Sequence, residues 1–91
     1  MDYMTYEEYL VYKQIDLDNI EDEETKEYTK VMYKNDKINY YKDLLNKSDY
    51  KAIKYSEGLY TDEEYEPIKQ EREQYREKIN ELEEELAKIN A

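Results

Sequence analysis

The sequence predicts an all-α protein of three or four helices, ending in a helical hairpin whose second arm is long and coiled-coil-like. Three observations predict it. From Ile68 onward a seam of residues recurs in alternating steps of four and three, the spacing of a and d positions in a heptad. Threonine followed three residues later by glutamate occurs at Thr5/Glu8 and at Thr61/Glu64, the signature of a reciprocal N-terminal cap. Gly58, the single glycine, falls between two helical patterns where a stop is needed.

The first helix begins at Thr5 and carries Tyr6, Tyr9, Leu10 and Lys13 at helical spacing, ending before Asp16. The stretch 15–20 alternates apolar and polar residues, but with no partner strand it reads as a loop. A second helix starts in the acidic run Glu21, Asp22, Glu23 and Glu24, which suits the positive end of a helix dipole. Its stripe of Tyr28, Val31, Met32, Ile38, Tyr41 and Leu45 runs to about Asn46, with Asn35-Asp36 the expected break or kink. Ser48 or Asp49 is expected to cap a short third helix bearing Tyr50, Ile53 and Tyr55. After the turn, Pro67 interrupts the pattern early and predicts a kink or a fresh helix start. Residues 1–46 thus form an N-terminal helix pair and residues 48–90 a C-terminal hairpin of one small domain.

The final helix has the clearest pattern. Ile68, Tyr75, Leu82 and Ile89 repeat every seven residues, and Arg72, Ile79 and Leu86 interleave with them. Arg72 alone breaks the apolar seam; its stem is expected to lie along the groove with the guanidinium outside. The seam can be satisfied by the second helix in cis or by another copy of the chain, giving a homo-oligomer.

Composition narrows function. Acidic residues number 25 against 14 basic ones, a net charge of −11, and the chain has no Cys, His, Trp or Phe. No disulfide scaffold, thiolate or imidazole metal site, or glycine-rich phosphate loop fits that inventory. Binding to DNA, RNA or anionic lipid begins with neutralising phosphates, so so negative a field argues against it. No run is long and apolar enough to span a membrane, and the acidic start is unlike a secretory signal. Charge is uneven: −7 over residues 1–30, +2 over 31–60 and −6 over 61–91.

Sixteen Leu, Ile and Val in 91 residues make a thin core, which thirteen Tyr must wall. Tyr9, Tyr28, Tyr65 and Tyr75 are expected inside. Tyr3 and Tyr12 belong to a run spaced every three residues that cannot all face one core, and serve either as surface contacts or simply as the aromatic this chain uses. Paired carboxylates such as Asp16/Asp18 and Glu63/Glu64 lack a cleft in so slight a protein, and neither catalysis nor a cofactor is expected. Asp16, Asp18 and Asp22 have the opening spacing of a calcium loop, but the turn glycine and closing glutamate are missing, so no metal site is expected. The run at 21–24 and Glu81, Glu83, Glu84 and Glu85 could instead imitate the phosphates of a nucleic acid and block a protein that binds one.

The string Asp49-Tyr50-Lys51-Ala52-Ile53-Lys54-Tyr55-Ser56-Glu57-Gly58, with Glu64-Tyr65, Pro67-Ile68-Lys69, Arg72, Tyr75-Arg76 and Ile79-Asn80-Glu81-Leu82, resembles the C-terminal module of small proteins encoded in the tail regions of phages and prophages of Gram-positive bacteria. It covers roughly residues 45–86; relatives more often carry Trp at the position of Tyr75. The resemblance implies a helical hairpin in a non-enzymatic protein that contacts a phage structural protein, as a small tail-associated or assembly component. The alternative is an acidic, anti-CRISPR-like inhibitor contacting a host defence protein. Either implies residence in the host cytoplasm or on the virion. Residues 1–44 carry no such resemblance.

Overall fold

A computed structural model describes residues 2–19 and 22–89. Its elements are α1 (Tyr6–Tyr12), a single 3₁₀ turn (Leu17–Asn19), α2 (Glu23–Ser56) and α3 (Asp62–Ile89), with no strand among the described residues. The fold is all-α, and its C-terminal part is a helical hairpin.

Local chemistry sets most helix ends. Thr5 Oγ1 accepts the Glu8 amide at 3.2 Å while the Thr5 amide donates to the Glu8 carboxylate, so the expected capping box is present. Beyond α1, Gln14 adopts φ +58°, and the Gln14 and Ile15 amides bond back to the carbonyls of Val11 and Leu10. That is a Schellman stop built on a side chain that resists left-handed backbone. Asp16 then accepts from the Asp18 amide and the Asn19 side chain, which holds the 3₁₀ turn. Asp22 caps α2, its carboxylate accepting the Glu24 amide at 2.9 Å.

Two expectations about α2 are overturned: it does not stop near Asn46, and no new helix is capped at Ser48 or Asp49. One helix of 34 residues runs to Ser56, so of the break or kink expected at Asn35-Asp36 the break does not occur. The residues that suggested breaks have other work. Asp36 accepts the Tyr9 hydroxyl at 2.6 Å, and the Ser48 hydroxyl donates to the Leu45 carbonyl at 3.0 Å. Asn, Asp and Ser inside a helix cost only about 0.5–0.7 kcal/mol each, which packing readily overrides.

Gly58 ends α2 at φ +80°, with its amide on Tyr55 and that of Leu59 on Lys54, a second Schellman turn where glycine is the natural occupant. Thr61 and Glu64 cap α3 reciprocally. Pro67 lies inside α3 without a fresh start; the carbonyl it leaves unbonded, that of Glu63, is in the exposed first turn. Tyr65 stacks flat on Tyr55, rings 4.1 Å apart.

The described chain forms two compact units, residues 1–37 and 38–91. In the first, Tyr9 is fully buried, Thr29 is nearly so, and the Tyr33 ring meets those of Tyr3, Tyr6 and Tyr9. In the second, Ile38 and Tyr41 of α2 close on Tyr75, Ile79 and Leu82 of α3, flanked by Tyr40, Leu44, Leu45 and Leu86.

Candidate protein-contact surfaces

The seam is the first candidate surface. Tyr75, Ile79 and Leu82 are buried against α2 of the same chain, with Ile68 and Leu86 half-buried and Ile89 exposed at the end. Within the second unit, α2 is therefore the partner of this seam.

Arg72 departs from expectation. Its guanidinium is not outside: the residue is 8% exposed, with Nη1 donating to the Leu45 carbonyl at 3.0 Å and to Ser48 Oγ at 2.5 Å, and Nη2 to Asp49 at 2.8 Å. Leu45, Ser48 and Asp49 present these acceptors together because i, i+3 and i+4 share a helix face. The hairpin thus uses Arg72 as a cross-brace.

The acidic candidates divide. Asp22 is an N-cap and Glu23 pairs with Lys26 at 3.4 Å, while Glu24 is exposed; Glu21 lies outside the described residues. Glu81, Glu83, Glu84 and Glu85 are all exposed on α3, and Glu83 reaches Lys42 at 3.8 Å. Among the described residues no group of three or more His, Cys, Asp or Glu is arranged to hold a metal ion.

The tyrosines also divide. Tyr3 is half-buried on the Tyr33 ring, whereas Tyr12 is 68% exposed beneath the Lys13 ammonium. Tyr28, expected in the core, is 66% exposed. The inward position beside it is taken by Thr29, which satisfies its hydroxyl on the Thr25 carbonyl at 2.8 Å. Tyr50 and Ile53, three apart on α2, are 52% and 57% exposed.

Hydroxyl acidity follows the hydrogen bonds. Burial and the bond to Asp36 push Tyr9 well above the ordinary phenol range. The bond from Tyr75 to Glu71, reinforced by burial, raises Tyr75 to about 12. Tyr55 is raised by its bond to Asp62.

A groove of about 290 Å³ opens between α2 and α3 of the second unit, lined by Leu44, Tyr50, Ile68 and Tyr75 together with Lys47, Ser48, Lys51, Glu71 and Arg72. Sequence reading missed it. The available signal was Lys47 and Lys51, four apart beside the apolar stripe in the one basic third of the chain.

Among the described residues no helix is long and apolar enough to cross a membrane. Comparison with protein-family models, with curated proteins and with solved structures found no match to this chain.

Proposed function

We propose that the chain is a non-enzymatic helical protein that acts by protein–protein contact, as a small tail-associated or assembly component encoded by a phage. The observation that carries this reading is the pair Tyr50 and Ile53. Both are large, apolar and more than half exposed on a regular helix whose seam partner is already in place. Ordered aromatic and aliphatic groups on a helix give contact area at low entropic cost. The resemblance over residues 45–86 covers both residues.

A second reading, an acidic mimic of nucleic acid, draws on the exposed glutamates of α3, where Glu73, Glu77, Glu81 and Glu84 follow one another at spacings of four and three.

Affinity capture from a phage-infected Gram-positive lysate separates them, using the whole chain and Tyr50→Ser/Ile53→Ser at about 0.1 and about 0.6 M salt. Contact through apolar groups predicts a phage structural protein retained at both salts and lost with the double variant. Capture only at low salt, displaced by added DNA and indifferent to the double variant, supports the mimic and contradicts the first reading.

A further inference from the structure

We propose that the groove between α2 and α3 of the second unit seats an acidic segment of a partner protein, one apolar side chain entering between Leu44, Ile68 and Tyr75 while its carboxylates meet Lys47 and Lys51. This rests on the reading of the chain as a protein that acts by contact, and names the chemistry of what it contacts.

The groove is made of two kinds of surface. Leu44 and Ile68 are half-buried and Tyr75 is buried, so an apolar wall is open to a visitor. At about 290 Å³ it falls just below the range of roughly 300–1,000 Å³ for cavities that enclose small ligands. It suits one or two side chains better than a whole cofactor.

The lining charges favour anions. Lys51 pairs with no carboxylate among the described residues. Lys47 is held by Asp43 at 2.9 Å, an exposed pair within one helix, of a kind that is weak and readily exchanged. Glu71 is the one acid among the lining residues, against the cations Lys47, Lys51 and Arg72; it keeps its charge while accepting the Tyr75 hydroxyl, and Arg72 is held by Leu45, Ser48 and Asp49 of α2. The net charge of −11 does not reverse this preference. At physiological salt the Debye length is about 8 Å, so the charges in and beside the groove, rather than the distant acids, set the field a ligand meets.

The test is fluorescence anisotropy of the purified chain with a labelled synthetic peptide of glutamates and leucines in helical repeat. A glutamate-only peptide of equal length is the control. The expected result is saturable binding of the leucine-bearing peptide, weakened about tenfold or more by Lys47→Glu/Lys51→Glu and less by Lys47→Gln/Lys51→Gln. Circular dichroism verifies that each variant keeps its helices. No binding by wild type, equal binding of the glutamate-only peptide, or binding indifferent to both lysine pairs would overturn the proposal. So would a dimer of the chain alone that the same charge reversal dissolves, since a second copy would then fill the groove. Tyr50 lines the groove and Ile53 does not, so if Lys47→Glu/Lys51→Glu leaves capture of a structural protein intact while Ile53→Ser alone abolishes it, the groove assignment fails and the contact reading stands.

Discussion

Asp49 on α2 accepts a hydrogen bond from Arg72 on α3 across 2.8 Å, and it does so from a position 55% exposed while the guanidinium side chain is only 9% exposed. The pair joins a charge that has left water to one that has not. Neither the Leu45 carbonyl nor the Ser48 hydroxyl depends on Arg72 alone, because the hydroxyl already donates to that carbonyl. Loss of the guanidinium therefore orphans little.

Arg72→Ala removes packing and hydrogen bonds together and is expected to cost about 2–3 kcal/mol in urea unfolding. Arg72→Leu completes the apolar seam and should fall within about 1 kcal/mol of wild type. A cycle with Asp49→Asn should give a coupling of about 0.5–1.5 kcal/mol, kept small because Asp49 is in water. A Leu variant as damaged as the Ala variant would show that the cross-brace itself holds the hairpin.

Two tyrosines of the first unit should respond oppositely to loss of the same atom. The Tyr6 hydroxyl is buried with no hydrogen-bond partner among the described residues, whereas that of Tyr9 donates to Asp36 at 2.6 Å. Tyr6→Phe is expected to be neutral or to stabilise by up to about 1 kcal/mol, and Tyr9→Phe to destabilise by about 1–2 kcal/mol. Thermal unfolding of both variants decides it; changes of the same sign would contradict the assignment.

Gln14 ends α1 in a conformation that favours glycine. Gln14→Gly should raise stability by about 0.5–1 kcal/mol, with α1 amides exchanging more slowly in native-state hydrogen exchange. Faster exchange there would mean the left-handed turn is not the resting state.

Alkaline pH should weaken the hairpin through Tyr75. Its ordinary pKa of 10.0 is raised to about 12 in the folded chain, chiefly by the bond to Glu71 and then by burial. Between these values the unfolded chain releases a proton that the folded chain keeps, so stability falls as pH rises. The contribution is complete below about pH 10 and gone above about pH 12. Unfolding measured across that window should show a shallower decline for Tyr75→Phe; identical slopes would count against the bond.

Features with a local chemical cause were legible in the sequence. The caps at Thr5 and Thr61, the stop at Gly58 and the burial of Tyr75, Ile79 and Leu82 each follow from residues a few positions apart. What failed was tertiary. Inside α2, Asp36 is engaged by the Tyr9 hydroxyl and Ser48 by Arg72, partners 27 and 24 residues away. The burial of Arg72 depends on three acceptors 23 to 27 residues away in the chain. Tyr28 had the right period but the wrong face, since Thr29 satisfies itself internally and turns inward. The groove needed α3 in place before Ile68 and Tyr75 could face Leu44 and the lysines of α2.

The claim on which the rest depends is that α3 finds its seam partner within its own chain. Thermal unfolding followed by circular dichroism over a roughly hundredfold range of concentration, with sedimentation equilibrium alongside, tests it most directly. A self-contained hairpin gives one unchanging midpoint and a mass of 11.3 kDa throughout. A midpoint that climbs with concentration, together with a doubled mass, would show that the seam is completed by another copy.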